Sequence, residues 1–246
     1  MIANFLKSSS LFAFNQVNRD EWIARQARLV PAGAVVLDVG AGSCPYRPLF
    51  SHCIYKTQDF AQLQPEQLRH GTYGTIDYIS DARSIPVPDA SVDVVLCTEV
   101  LEHVAEPIAV IAEFARILKP GGKVILTAPL GSGIHQEPHH YYGGYTPYWY
   151  DKVFSERGFA NIEIEANAGF FKFFSQESLR MLQLSRPFRL GMPVAGELLW
   201  APVWALLAPV LGLVVPVVCA WLDRFDTERR FTVGYHVTAQ KLHATG

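Results

Sequence analysis

One segment constrains the fold more than any other: AVVLDVG at 34–40, an apolar run that carries one acidic residue, Asp38, and breaks at Gly40-Ala41-Gly42. A run that short, ended at once by a glycine turn, is the pattern of a strand buried on both faces, and such strands belong to parallel sheets. Parallel neighbours need a crossover connection, usually a helix. The rest of the chain alternates accordingly. CIYKTQDF (53–60), TIDYISDA (75–82), VDVVLCTEV (92–100), KVILTAPL (123–130), NIEIEA (161–166) and FTVGYHVTAQ (231–240) read as further strands. Residues 18–30 place Trp22, Ile23, Ala27 and Leu29 in a helical pattern ended by Pro31, and a second helix starts at Glu106-Pro107, with Ile111, Phe114, Ala115 and Leu118 on one face. Lys119-Pro120-Gly121-Gly122 stops it, and a third runs from Thr146-Pro147 to Gly158.

This pattern predicts an α/β, doubly wound, seven-stranded, mostly parallel sheet. Ligands of such sheets sit beyond the carboxyl ends of the strands, where strand order reverses. Asp38 to Gly42, Asp59, Asp81 and Thr98-Glu99 all fall at such ends. Gly40 and Gly42 permit a tight turn and a close ligand. Asp59, 19 positions after Gly40, suits a ribose diol, and Asp81 can accept from an adenine amino group while the Ala82 amide donates to a ring nitrogen. A dinucleotide fingerprint would need a third glycine where Pro45 stands, and proline has no amide hydrogen to offer a phosphate.

These residues resemble the class I S-adenosylmethionine-dependent methyltransferases. VLDVGAGSCPYRPLF (36–50) looks like their glycine-rich first motif, DARSIPVPDASVDVVLCTEVLEHVAEP (81–107) is similar to their adenine-contacting segment and fourth strand, and RILKPGGKVILTAP (116–129) to their fifth-strand motif. The resemblance covers 18–169 and 231–242 and implies a Rossmann-like methyltransferase fold with S-adenosylmethionine as cofactor. It further implies Asp38, Gly40, Ala41 and Gly42 around the methionine part, Asp59 at the ribose, Asp81 with Ala82 at the adenine, and Thr98 with Glu99 near the sulfonium. Glu99 and His103 carry the weakest claim, because Thr98-Glu99 could equally cap the next turn.

An alcohol acceptor must also lose a proton, work that suits a histidine. The loop GIHQEPHHYYGGYTP (133–147) supplies His135, His139 and His140, and His135 or His139 is the expected base. Packing of these rings as a lid without catalysis is the competing reading. Related enzymes often carry a His-x-x-Pro-x-Asp-Tyr-x-Arg-x-Thr-like stretch here; this chain has His140 at the Asp position and Gly143-Gly144 in place of the Arg, so acceptor contacts do not carry over. No metal is expected, since His135-x3-His139-His140 lacks an obvious fourth ligand beyond Glu137.

Composition matters at one place. Charged residues are 18% of the 246, against roughly 25% in an average domain, and Leu198–Leu222 contains none. The chain divides into 1–169 with 231–246, the methyltransferase domain, and 170–230, an apolar helical insert before the last strand. The insert joins two strands of one sheet, so its ends must lie on one side of any bilayer, and two arms of about 15 residues are too short to span it. Pro202, Pro209 and Pro216 argue for a bent hairpin in which 192–222 contacts one leaflet, with packing on the sheet or a second subunit as the alternative. An acceptor that is small or lipid-linked follows from that location.

With 21 basic and 23 acidic residues the net charge of −2 gives no footprint for nucleic acid. Cys44, Cys53, Cys97 and Cys219 form no regular spacing and point to a reducing compartment, while MIANFLKSSSLFAF lacks the features of a cleaved signal peptide. A cytoplasmic enzyme, peripheral at the membrane, is the resulting expectation, with O-methylation as its reaction. A catalytically silent scaffold of the same fold, and C- or N-methylation such as that of a quinone ring, are the alternatives.

Overall fold

β1 (Val35–Val39) forms from the apolar run at 34–40, and it lies between β2 (Ile54–Asp59) and β4 (Val92–Thr98), parallel to both. The structure, a computed structural model, describes residues 11–243. The expectation about a signal peptide falls largely outside them. Strand order is β3-β2-β1-β4-β5-β7-β6, so order reverses beside β1, as a doubly wound sheet requires. β5 (Leu118–Pro129) is parallel to β4, and β7 (Gly234–Lys241) enters antiparallel beside β5, next to β6 (Phe159–Ala166).

Two elements differ from expectation. β3 is only Tyr78–Ile79 rather than 75–82, because the Asp77 carboxylate takes the Thr57 amide at 3.0 Å and so replaces a ladder bond with a side chain. β5 starts at Leu118, five residues early, and its Pro-Gly-Gly segment coincides with a register shift against β4. The described residues divide into two compact units: those up to Asn18 with Ala166–Val233, and Arg19–Glu165 with the chain from Gly234 onward.

In the sheet unit, Trp22, Ile23 and Ala27 from helix α1 (Phe14–Ala27) pack with Val36, Val94, Leu96 and Ile125. α2 (Pro107–Ile117) buries Val110, Ile111, Phe114 and Ile117, the i, i+1, i+4, i+7 face of a core helix. α3 (Pro147–Glu156) starts where Thr146 accepts the Trp149 amide with its side chain.

In the other unit, α4 (Phe170–Leu184) pairs with one long helix, Val194–Phe225. That helix is α5 (Val194–Pro209), a π turn at Val210–Val214, and α6 (Val215–Leu222) with a short 3-10 end. The bent hairpin expected within 192–222 is therefore not formed. The prolines are absorbed instead of breaking the helix: Val215 donates to Val210 across the π turn, and Pro216 has no amide for the Leu211 carbonyl, which takes the Ser178 hydroxyl of α4 at 3.0 Å. The long helix also caps both ends of α4. Asp223 accepts from the Gly169 and Lys172 amides and Asp226 from Phe170, while the Trp200 and Trp204 indoles donate to the Ser185 and Leu182 carbonyls.

Candidate active site

The turn after β1 is tied to the end of β2. Gly40 and Ala41 donate to the Gln58 carbonyl at 2.9 and 3.0 Å, and Gly42 donates to Asp59 Oδ2 at 2.9 Å. Asp59 Oδ1 accepts the Ala61 amide at 2.8 Å, so this buried carboxylate is held in one orientation by backbone on both sides. Gly40 has φ +70°, and a Cβ there would lie 2.3 Å from Val100 Cγ2. Glycine at 40 is thus demanded by the chain's own packing as well as by its turn.

Asp38 sits beneath this turn, fully buried. Tyr55 donates its hydroxyl to Asp38 Oδ2, while Oδ1 has no partner among the described residues. Burial pushes the Asp38 carboxyl up to about 7 against the opposing Tyr55 hydrogen bond. A sealed acceptor of this kind calls for a donor from a ligand.

Beyond β2 and β3 lies a cleft of about 430 Å³, lined by Gln58, Phe60, Ser80, Asp81, Ala82, Arg83, His103 and His139 among others. Gln58 Oε1 and Ser80 Oγ are buried there without a partner. Asp81 is engaged by Arg83, which donates from Nε at 3.0 Å and Nη2 at 2.8 Å, and that pairing holds the Asp81 carboxyl below its usual range. Thr98 ends β4 opposite Thr127 of β5. Glu99 follows at φ +54°, accepting Thr127 Oγ1 at 2.9 Å and pairing with Arg19 at 3.0 Å. A non-glycine residue in that conformation costs energy and is characteristic of functional sites.

The histidine loop is strapped over the segment after β4. Tyr141 and Tyr142 donate to the Glu102 carbonyl, Tyr142 Oη to that of Ala105 and Tyr145 Oη to that of Leu101. At its base Ser132 donates to Gly143 and Tyr145 to Pro129, where a Cβ on Gly144 would strike the Leu130 backbone at 2.4 Å. Of the Gly143-Gly144 pair that stands in the expected arginine position, Gly144 is required by that closure.

The two candidate bases separate. His139 lines the cleft, edge-on to Phe60 at 5.0 Å, whereas His135 faces His103 and His140, with centroids 4.7 and 4.6 Å away. Burial lowers His103 to about 4, the His139 carbonyl opposing, and burial also lowers His140. Glu102 is buried, with its carboxyl pushed well up by burial and then by Glu99. Sequence reading missed Arg19, Tyr55, Gln58, Arg83 and Glu102; Arg19 and Tyr55 act through Glu99 and Asp38, distant in the chain, and Arg83, though only two residues from Asp81, belongs to no local pattern that marks it.

A family model described as a methyltransferase domain matches residues 37–126. The curated relatives include a ubiquinone biosynthesis O-methyltransferase of Xanthomonas axonopodis pv. citri, 38% identical over 128 residues, covering 48% of this chain and 51% of that protein. Another is a ubiquinone/menaquinone biosynthesis C-methyltransferase of Shewanella piezotolerans, 30% identical over 105 residues, covering 38% of this chain and 42% of that one. The chain spans about half the length of the first of these relatives. Among solved structures, a SAM-dependent methyltransferase of Archaeoglobus fulgidus aligns with TM-score 0.52 at 16% identity, covering 91% of this chain and 94% of that one. Residues 37–126 thus match a methyltransferase domain, in a fold shared with S-adenosylmethionine-dependent methyltransferases. The unpartnered Asp38 and Gln58 oxygens, with the Asp81–Ala82 rim, fit a ligand rich in amino and hydroxyl donors, as S-adenosylmethionine is.

Proposed function

We propose that this chain transfers a methyl group from S-adenosylmethionine to an oxygen of a small or lipid-linked acceptor. The observation that carries the reading is one rim on which Asp81, Ala82 and His139 line a single cleft, beside the strand ends that hold Asp38, Gly40, Ala41, Gly42 and Asp59. Asp38 faces the methionine part, Asp59 the ribose, Asp81 and Ala82 the adenine, and Thr98 the reacting end. The bound cofactor supplies an electrophilic methyl carbon. The protein's own residues align the acceptor, exclude water and take its hydroxyl proton. That His139 lines the cleft supports it in that last task. His135 is the second candidate: its Nδ1 lies 2.9 Å from the Gly133 carbonyl, which can only accept, so Nε2 keeps a free lone pair. The similarity to O-methyltransferases supports oxygen as the acceptor atom, and the C-methyltransferase relative supports carbon as the second reading.

The membrane-facing part of the proposal rests on the long helix. Its 32 residues reach about 48 Å, enough to cross a hydrocarbon core of about 30 Å, yet β6 before the insert and β7 after it are strands of one sheet. α4, with Lys172, Glu177 and Arg180, offers no return span. The helix therefore lies along one leaflet at the cytoplasmic face, through Leu199, Val203, Leu206, Val210, Leu213, Val217 and Trp221, all exposed on one stripe. Titration of the full chain with S-adenosylmethionine, then labelled-methyl transfer into a total lipid extract with and without liposomes, tests both parts. Uptake of label into an alkyl ether or ester upholds the reading. No cofactor binding, or Asp59→Ala binding like wild type, overturns it; label in a carbon–carbon bond moves the acceptor atom to carbon.

A further inference from the structure

Three imidazoles, one from the segment after β4 and two from the histidine loop, meet at the edge of the cofactor cleft, which His103 helps to line. One ring nitrogen from each of His103, His135 and His140 lies within 4.8 Å of the others. Backbone bonding fixes two of the tautomers. His103 Nδ1 is 2.5 Å from the His139 carbonyl and His135 Nδ1 is 2.9 Å from that of Gly133, so both must donate there. Their Nε2 atoms are left as acceptors. An imidazole whose second nitrogen donates to a backbone carbonyl is the usual state of a metal-ligating histidine. Independently, His140 Nδ1 is shielded from solvent and has no hydrogen-bond partner among the described residues. The rings meet edge-on or tilted, with centroids 4.6–5.5 Å apart, so three acceptor-capable nitrogens crowd one spot, an arrangement that a cation relieves.

We propose that His103, His135 and His140 bind a divalent transition-metal ion of the zinc class, with a fourth position open to water or to an oxygen of the acceptor. Three imidazoles with one open position suit such an ion better than magnesium or calcium, which take oxygen ligands. Zinc–nitrogen bonds of about 2.0–2.1 Å place tetrahedral ligands about 3.3 Å apart, so the nitrogens need draw together by no more than about 1.5 Å from their present spread. The strap of Tyr141 and Tyr142 on the Glu102 carbonyl is what carries His140 to His103, and His139 drops out of the set because its ring lies against Phe60. The ligand set stands on the imidazoles alone; only the use of the fourth position rests on the methyl-transfer reading, in which an ion held by His135 Nε2 leaves His139 as the base.

Full-length protein stripped with a chelator and titrated with cobalt(II), followed by its visible d–d absorption, decides the matter. One ion per chain with a tetrahedral spectrum is expected, displaced by zinc(II). His135→Ala and His140→Ala each weaken cobalt binding at least about tenfold, and the double variant loses it, while His139→Ala retains it. No stoichiometric uptake by wild type, which needs no variant to fold, overturns the site; so does an unchanged spectrum in the double variant. A wild type that takes up cobalt but no S-adenosylmethionine upholds the metal site and overturns the cofactor reading instead.

Discussion

The two units treat the same residue types in opposite ways. In the sheet unit Leu37, Leu96, Leu101, Phe114 and Leu126 are sealed from solvent, whereas in the helical unit Leu198, Leu199, Leu206 and Leu213 are more than half exposed. Only 11% of the most apolar window of the long helix is buried. The difference lies in where polar side chains go. In the sheet unit they rim the strand ends. In the helical unit Asp223, Asp226, Trp200, Trp204 and Ser178 are all spent joining the long helix to α4. The opposite stripe is left with no polar group, which water disfavours and a leaflet accepts.

Truncation separates the two environments. Phe114→Ala, at a fully buried site, is expected to cost about 3–5 kcal/mol in urea unfolding, while Leu206→Ala, at 76% exposure, changes stability by less than about 0.5 kcal/mol and instead lowers liposome flotation. Equal losses at the two sites would mean that the stripe is a protein core after all, covered by another surface.

Within the sheet unit, Asp38 supplies a test by pH. Its folded carboxyl stands at about 7 against an ordinary 3.8, so between those values the folded chain holds the extra proton. Its contribution to stability is therefore fully present below about 4, falls as pH rises through the window and levels off above 7. A cationic donor from the cofactor favours the ionised form, so affinity moves the other way. Calorimetry should show S-adenosylmethionine binding about tenfold tighter at pH 8 than at pH 6, with the slope abolished in Asp38→Asn. A flat profile in wild type would place the cofactor's amino group elsewhere.

What was legible in the sequence follows the same division. β1 and β4 could be read because each apolar run is bounded by turn residues close to it, and Asp59 and Asp81 because strand ends are local features. His103 could not be joined to His135 and His140, since the tyrosine strap that brings them together operates through backbone carbonyls, which any sequence supplies. The long helix was misjudged for a related reason. Proline every seven residues reads as a break, and the Ser178 hydroxyl that lets the helix continue lies 33 positions away from the carbonyl it satisfies.

Ser178→Ala isolates that last contact. The hydroxyl donates to Leu211 at 3.0 Å and lies 2.8 Å from the Ser175 carbonyl, at a buried position where alanine fits without strain. Its loss leaves the Leu211 carbonyl with no donor, because Pro216 offers none. The expected cost is about 1 kcal/mol, smaller than any core truncation, and confined to the helical unit. Hydrogen exchange should quicken across Val210–Val215 while β1, β4 and β5 exchange as before. Serine restored as threonine should recover most of the protection, since the hydroxyl returns. If exchange is unchanged in the alanine variant, the π turn is held by its own backbone and the proline is tolerated for another reason.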